Sequence, residues 1–265
     1  MTGSAGQGVT CTPARLLDGR WLGLLLIVLL ACSGSTSPAP TPSPEPTDAP
    51  GVRVLFVGNS YTFSHDLPAV LAQIAEAAYP TWPITTRMVA EPGWTLEQHW
   101  QDRRAILEIR GGAWDYVVLQ GHSLSTLEAR ERLVEYARRF DAVIRDSGAS
   151  TVLFMTWARR DQPDMLATIS SAYLDLGHQL GARVAPVGTA WRIAHERRPD
   201  IHLWHVDGSH PSPAGTYLGA AVFYGLLSGG ATPVGADHAG FGQLDREEIV
   251  DLQAIAHELT RVDRQ

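Results

Sequence analysis

The chain has 265 residues, of which 45% are hydrophobic and 18% are charged, and its formal net charge is -7. Such a composition is typical of a globular protein with enough apolar residues for one sizeable core. All 21 basic residues are arginines, and none of them belongs to a dense basic run. An acidic chain without a basic patch is a poor candidate for binding phosphate backbones, so we expect no nucleic-acid partner.

Residues 1–32 have the pattern of a secretory signal. Arg15 and Arg20 precede the apolar run WLGLLLIVLLA, which ends at Ala31. As a helix this run is about 16 Å long, well short of the roughly 30 Å hydrocarbon core of a bilayer. The end of this run together with the next residue, LLAC (residues 29–32), resembles a bacterial lipobox, in which Cys32 is lipidated and becomes the new N-terminus. We therefore expect a bacterial lipoprotein that is secreted and anchored to the cell-envelope membrane; an ordinary cleaved signal and a retained anchor stay open.

Residues 33–50, SGSTSPAPTPSPEPTDAP, are too rich in proline, serine and threonine to form a core. They predict an extended tether that reaches roughly 50 Å. Both cysteines, Cys11 and Cys32, precede this tether. The remaining domain, residues 51–265, therefore has no disulfide, no thiolate metal site and no cysteine nucleophile.

In this domain, short apolar runs alternate with helical patterns. Five runs predict strands: Val52–Gly58, Ile84–Ala90, Tyr116–Gln120, Thr151–Trp157 and Arg183–Gly188. Apolar residues at three- and four-residue spacing predict helices near residues 67–79, 96–109, 127–145, 165–180, 213–227 and 246–259. Apolar strands that alternate with helices favour a parallel sheet covered on both faces. The sequence thus predicts an α/β fold, a three-layer α/β/α sandwich with a five-stranded parallel sheet of flavodoxin-like type.

Polar residues follow these strands at their carboxyl ends, where open parallel sheets bind ligands. Gly58-Asn59-Ser60 ends the first strand, and Gly93-Trp94 follows the second. Gln120-Gly121-His122-Ser123 ends the third, and Trp157 ends the fourth. The loop WHVDGSHP then carries Asp207 and His210 just before a predicted helix.

These residue types suit acyl transfer through a serine. A serine hydroxyl becomes a nucleophile when an imidazole accepts its proton and an acceptor holds the imidazole in one tautomer. Ser60, His210 and Asp207 can take these three roles. The backbone N–H groups of Ser60 and Gly93 and the side-chain amide of Gln120 can form an oxyanion hole.

In their order along the chain, these residues resemble the SGNH hydrolases, also called the GDSL esterase/lipase superfamily. Gly58-Asn59-Ser60 is similar to the first block of that family, Gly93 to the second, and Asp207-Gly208-Ser209-His210 to the final Asp-x-x-His. The resemblance extends from about Val52 to Leu227. It implies a nucleophile at Ser60, a base at His210 and an orienting carboxylate at Asp207.

Two departures from the family pattern matter. Asn59 stands where aspartate is usual, and the third block, Gly-x-Asn-Asp in the family, reads Gln120-Gly121-His122-Ser123 here. Either Gln120 replaces the missing asparagine, in a divergent subgroup with glutamine in this block, or His122 or Ser123 donates instead.

Structural roles stay open for the same residues. Ser60 and Asp207 are also typical helix caps, and Gly93 after a proline is typical of a plain turn. Gln120 suits a structural hydrogen bond at a strand end.

The residues expected to line the cleft are Asn59, Trp94, His122, Ser123 and Trp157. Aromatic rings in this position either stack on sugars or cover the core. His202, His205 and His210 lie close together in sequence but fit no tight metal-ligand spacing. We therefore expect neither a metal nor a cofactor.

The sequence thus predicts a serine esterase for short acyl esters, such as O-acetyl groups, on envelope or extracellular carbohydrate. A surface glycan-binding module that has lost turnover and an O-acyltransferase are the alternatives. The natural substrate and the oligomeric state stay open.

Overall fold

A computed structural model of the chain describes residues 51–234 and 244–261. The predicted signal, the lipidation site Cys32 and the tether lie outside the described residues and stay predictions. Among the helices that the structure describes, none has the length and apolar character needed to cross a bilayer.

One parallel sheet organises the described residues. Its strands are β1 (Val52–Gly58), β2 (Ile84–Ala90), β3 (Tyr116–Leu119), β4 (Ser150–Phe154) and β5 (Arg183–Ala185). They lie in the order β2-β1-β3-β4-β5, and every neighbouring pair is parallel. The order reverses at β1, and ligands of doubly wound sheets bind at such a reversal, outside the carboxyl ends of the strands. Ser60 lies two positions beyond the end of β1, at this point of reversal.

Helices cover both faces of the sheet. The helices in the described ranges are α1 (Ser60–Phe63), α2 (Leu67–Ala78), α3 (Leu96–Asp102), α4 (Arg104–Gly111), α5 (Ser125–Glu128), α6 (Arg130–Asp146), α7 (Met165–Leu180), α8 (Val187–Arg197), α9 (Pro213–Leu227) and α10 (Arg246–Thr260). Alternate residues of β1 point to opposite faces. Val54 and Phe56 join the core formed with α2, α8, α9 and α10, whereas Leu55 and Val57 join the core formed with α3, α4, α6 and α7. The predicted three-layer α/β/α fold with five parallel strands is confirmed.

Several predicted boundaries were wrong. β3 ends at Leu119, β4 ends at Phe154, and β5 ends at Ala185, so the expected strands were one to three residues too long. After β5, Pro186 cannot donate a hydrogen bond to a strand ladder, and α8, which was not predicted, begins at the next residue. The expected helix over 96–109 is two helices, because Arg103 adopts a left-handed conformation with φ of 73°. The expected helix over 127–145 is α6, preceded by the short α5.

Candidate active site

Ser60, His210 and Asp207 form a chain of hydrogen bonds, although the first two are 150 residues apart. Ser60 Oγ lies 2.9 Å from His210 Nε2. His210 Nδ1 lies 2.6 Å from Asp207 Oδ2. A carboxylate can only accept, so Nδ1 carries the proton and Nε2 is free to accept the hydroxyl proton of Ser60. The fold brings these residues together because the carboxyl end of β1 and the loop before α9 lie at the same edge of the sheet.

The turn after β1 is held by Asn59, which is almost fully buried. Asn59 Oδ1 accepts from the Tyr61 N–H at 3.1 Å and caps α1. Asn59 Nδ2 donates to the carbonyl of Trp94 at 3.0 Å, which joins this turn to the loop after β2. Asn59, and not Ser60, is therefore the cap, and the Ser60 hydroxyl is left for His210.

Gly58 has a steric reason to be glycine. A Cβ at this position would lie 2.5 Å from Thr62 Oγ1 and 2.6 Å from Gln120 Oε1. Both of those atoms are buried, so a larger residue would displace the backbone that leads to Ser60.

His99 on α3 supports the same turn from below. Its side chain is fully buried, and its Nε2 lies 2.7 Å from the carbonyl oxygen of Gly58. The carbonyl can only accept, so Nε2 carries the proton. Nδ1 is buried and has no partner in the described part of the chain. Burial lowers the pKa of His99, so the ring is neutral at pH 7.

The loop that carries Asp207 and His210 is fixed at several points. Trp157 Nε1 donates to the Ser209 carbonyl at 3.0 Å, and the Arg160 N–H donates to the Gly208 carbonyl at 2.9 Å. The Tyr61 phenol lies 2.6 Å from Ser209 Oγ. The Tyr61 ring stacks on Trp157 with a centroid distance of 4.5 Å, and it makes a T-shaped contact with the His210 ring at 5.7 Å. An aromatic layer thus holds the loop against the turn after β1.

Asp207 accepts three hydrogen bonds. Its Oδ1 accepts from the N–H groups of Ser209 and His210, at 2.9 and 3.0 Å. Partial burial raises the pKa of Asp207, but these two N–H groups and the His210 ring together hold it well below its usual range. Asp207 does not cap α9; Ser212 does, through a bond from the Gly215 N–H to Ser212 Oγ. Asp207 is thus committed to orienting His210.

Two residues that line the cavity beside the serine side chain, Ser60 and Gly93, have backbone N–H groups without a partner in the described residues. Within residues 51–234 and 244–261, no hydrogen bond uses the N–H of Ser60 or of Gly93. Gly93 has φ of 68°, which strongly favours glycine, whereas a Cβ there would meet no atom within 4 Å. The backbone conformation at Gly93 is therefore the reason for glycine at this position.

Gln120 is directed away from the position expected for an oxyanion donor, and that prediction is corrected. The side chain is fully buried, and its Oε1 accepts from the Asn59 N–H at 2.7 Å and from Thr62 Oγ1 at 3.1 Å. Its Nε2 donates to the neighbouring Gly121 carbonyl. Two of these bonds hold the turn after β1 and the third stays within the loop after β3, so Gln120 has the structural role that was the alternative.

A cavity of about 380 Å³ opens over the serine, and we call it the triad cavity. It is lined by Asn59, Ser60, Tyr61, Pro92, Gly93, His122, Ser123, Arg159, Ser209 and His210. Three of the five predicted cleft residues, Asn59, His122 and Ser123, thus belong to its wall.

The two predicted cleft tryptophans do not line the triad cavity, and that prediction is corrected. Trp157 is only 2% exposed, because its ring is stacked between Tyr61 and Trp191. It therefore covers the core. Trp94 lies beside the cavity, with its ring against His99 and Arg104.

In the sequence, His122 stands at the position of the asparagine in the third block of the family that the chain resembles. Its Nδ1 accepts from the N–H of Leu124 at 3.3 Å, so in the neutral ring Nε2 carries the proton. Desolvation lowers the pKa of His122; the carboxylate of Glu128 opposes this shift, and the charge of Arg159 adds to it. A neutral ring with a free N–H donor therefore lies at the wall of the triad cavity.

This arrangement can perform nucleophilic acyl transfer, with a serine, a correctly protonated histidine and unused N–H donors around one cavity. In the part of the chain that the structure describes, no three histidine, cysteine or acidic side chains are grouped closely enough to hold a metal ion. His202, His205 and His210 accordingly do not form a cluster.

Five residues of the site had not been predicted: Tyr61, Pro92, Ser209, His99 and Arg159. Tyr61, Pro92 and Ser209 are each one residue from a predicted site residue, so their positions gave a weak signal. Nothing in the sequence distinguishes His99 or Arg159 from ordinary surface residues on a helix and a loop.

No family model matches this chain, and no match was found among curated proteins. Several solved structures are similar to it. One is a protein from Slackia heliotrinireducens, described as a candidate SGNH hydrolase, with 25% identity and a TM-score of 0.58 over 67% of this chain and 99% of that one. A DUF4886 family protein from Bacteroides uniformis is 21% identical, with a TM-score of 0.66 over 81% and 96% of the two chains. An acetyl xylan esterase is 11% identical, with a TM-score of 0.54 over 64% and 96%.

Proposed function

This chain belongs to the SGNH hydrolase superfamily, and from that premise we propose that it is a serine esterase. The observation that carries the proposal is the contact between Ser60 Oγ and His210 Nε2 at 2.9 Å. It joins a nucleophile to a base whose tautomer Asp207 sets. An ester with its carbonyl carbon above Ser60 would lie in the triad cavity.

In the acylation step, Ser60 Oγ attacks the carbonyl carbon, and its proton passes to His210 Nε2. Asp207 stabilises the imidazolium, because its low pKa keeps it ionised. The tetrahedral intermediate collapses, the bond to the alcohol breaks, and the alcohol leaves with the proton from His210. Water then gives a proton to His210 and attacks the acyl-serine. The second tetrahedral intermediate collapses, the bond to Ser60 Oγ breaks, and His210 returns the proton to that oxygen, which releases the acid and restores Ser60.

The oxyanion of each intermediate needs donors already in place. The unused N–H groups of Ser60 and Gly93 supply two of them in this proposal. The third is His122 Nε2–H, and not Gln120, whose Oε1 is bonded to the turn after β1 and whose Nε2 is bonded to the Gly121 carbonyl. A neutral imidazole suits this role because it donates without competing for the proton that His210 must transfer.

The substrate class follows from the size of the triad cavity and from the expected cell-surface location. A cavity of about 380 Å³ holds a short acyl group with part of its alcohol. We propose O-acetyl or similar short-acyl esters on envelope or extracellular carbohydrate. The neighbour described as an acetyl xylan esterase supports only the fold, because its identity to this chain is 11%.

A fluorophosphonate probe tests the proposal, because it labels a serine only when a base activates it. We expect stoichiometric labelling of the wild-type chain, which Ser60→Ala abolishes. The protein should also hydrolyse 4-nitrophenyl acetate, with kcat reduced about 10⁴-fold or more in Ser60→Ala and His210→Ala. A folded chain that takes no label contradicts the esterase and favours the glycan-binding module. Labelling accompanied by product transfer to added sugar, faster than hydrolysis, favours the acyltransferase.

We also propose, from the sequence of residues 1–50 alone, that Cys32 carries a lipid and that residues 33–50 are a tether. Incorporation of labelled palmitate during expression in bacteria tests this. Cys32→Ala should abolish the incorporation and release the domain from the membrane fraction, whereas Cys11→Ala should change neither.

A further inference from the structure

Arg159 lies in the loop after β4, at the wall between two cavities. It is the only arginine among the described residues that line the triad cavity. It also lines a second cavity of about 330 Å³, whose wall includes Trp191 and Trp204. A substrate that extends from Ser60 towards the second cavity therefore passes Arg159.

The guanidinium of Arg159 has no partner of its own. In residues 51–234 and 244–261 it takes part in no ion pair or hydrogen bond, and its Nε is buried and unpartnered. Other arginines nearby are occupied: Arg192 binds Glu196, and Arg160 contacts the carbonyl of Val206. The carboxylate of the site, Asp207, is already used by His210 and two N–H groups.

A half-buried arginine without a counter-ion is costly, since its donors have lost part of their water and gained no acceptor. Arginine also presents a planar set of donors that matches a carboxylate, phosphate or sulfate in two parallel hydrogen bonds. An unsatisfied set of this kind beside a nucleophile is best satisfied by an anionic group of the substrate.

We propose, on the basis of the esterase function above, that Arg159 selects esters that carry an anionic group. The anion binds the guanidinium while the ester carbonyl lies over Ser60. The group belongs either to the acyl part or to the alcohol part of the ester, such as an acidic sugar. Arg159 is a specificity-determining residue and takes no part in proton transfer.

Two pairs of synthetic esters test this and separate the two sources of charge. The acyl pair is the 4-nitrophenyl monoester of adipic acid and 4-nitrophenyl hexanoate. The alcohol pair is 4-carboxyphenyl acetate and 4-carbamoylphenyl acetate. We expect kcat/KM of the wild type to favour the anionic member of one pair. Arg159→Gln should reduce that kcat/KM about 10- to 100-fold, change the neutral esters by less than about 3-fold, and remove most of the salt dependence.

Arg138→Gln is the matched control, because Arg138 is exposed on α6 and bonded to Gln179. It makes the same charge change away from both cavities and should keep the preference. Arg159→Lys should keep part of it. The proposal is overturned if the wild type treats both members of each pair alike, or if Arg159→Gln slows neutral and anionic esters equally.

A binding measurement separates this proposal from the esterase function. Ser60→Ala cannot turn over 4-carboxyphenyl acetate, so calorimetry gives its affinity directly. Binding that is lost in Ser60→Ala/Arg159→Gln supports the role of Arg159 even if the wild type hydrolyses no ester. Equal binding of the anionic and the neutral member in both pairs of esters contradicts it, even if the wild type hydrolyses all four.

Discussion

The Tyr61 phenol and the Ser209 hydroxyl lie 2.6 Å apart, although 148 residues separate them in sequence. Tyr61 follows the nucleophile, and Ser209 precedes the base. This hydrogen bond therefore joins the two halves of the site directly, and it sets the distance between Ser60 and His210 together with the Tyr61–Trp157 stack.

Tyr61→Phe keeps the stacked ring and removes the phenol hydroxyl, which bonds to Ser209 and also interacts with Ser123. We expect kcat for 4-nitrophenyl acetate to fall about 10-fold with little change in KM, because the loop that carries His210 gains freedom and small displacements of a base are costly. The free energy of unfolding should fall by about 1 kcal/mol. Tyr79→Phe, at an exposed tyrosine, is the control and should change neither quantity. An unchanged kcat in Tyr61→Phe would show that the stack alone positions the loop.

Asn59→Asp restores the residue that is usual in the family, yet we expect it to harm this protein. The Asn59 amide donates to the Trp94 carbonyl, and a carboxylate would place two acceptors against each other in a buried position. The free energy of unfolding should fall by about 1–3 kcal/mol. We also expect kcat to fall, because the loop that carries Gly93 loses one of its links to the turn and keeps the bond from the Glu91 N–H to the Gly58 carbonyl. Urea unfolding and ester hydrolysis measure the two effects. Greater stability in Asn59→Asp would contradict this account of the departure from the family.

The sequence predicted the elements whose signals are local. Ser212 as a cap and Pro213 in the first turn set the start of α9, and the expected helix over 213–227 was correct. The alternation of apolar runs and helices was sufficient for the fold class. Because the carboxyl ends of parallel strands share one edge, the sequence also indicated which side of the sheet Ser60 and His210 would occupy.

The errors arise where tertiary contacts determine the end of an element or the direction of a side chain. Val187, Ala190, Trp191 and Ala194 do have helical spacing. The helix was missed because Val187 and Gly188 also continue the apolar run of β5 and were assigned to that strand. The direction of Gln120 could not be predicted either. Gln120 lies past the end of β3, and the direction of its side chain is set by hydrogen bonds to Asn59 and Thr62. Both partners belong to the turn after β1, which is distant in sequence.

The pH dependence of stability should report the buried imidazole of His99. Burial lowers its pKa in the folded protein, whereas the unfolded chain binds a proton near pH 6.5. Stability from a neutral His99 is thus fully present above about pH 6.5. It is lost as pH falls towards the folded pKa, with a slope of at most about 1.4 kcal/mol per pH unit for one proton.

Urea unfolding between pH 7.5 and pH 5 measures this slope. His99→Gln should be less stable at pH 7.5, because the bond to the Gly58 carbonyl is weakened, but its stability should fall less steeply below pH 6.5. His178→Gln, at an exposed position on α7, should keep the wild-type slope. If the free energy of unfolding depends on pH in the same way for the wild type and His99→Gln, His99 binds its proton equally well in the folded and the unfolded protein.

His122 and Gln120 should respond differently to substitution, because only His122 faces the triad cavity. We expect His122→Ala to lower kcat about 10²- to 10³-fold with little effect on the free energy of unfolding, as for the loss of one oxyanion donor. His122→Asn restores a carboxamide at the family position, so it should recover part of that activity. Gln120→Ala should instead destabilise the fold, because it leaves the Asn59 N–H buried without an acceptor.

Measuring both kcat and the free energy of unfolding separates a catalytic role of His122 from a structural role of Gln120. Transition-state stabilisation by His122 predicts a loss in kcat that exceeds any loss in fluorophosphonate binding before reaction. Since the lowered pKa of His122 keeps the ring neutral, that contribution should also be constant from pH 7 to pH 8. Full activity in His122→Ala, together with a loss in Gln120→Ala that leaves stability intact, would return the oxyanion role to Gln120 and require its side chain to turn towards the cavity in the presence of substrate.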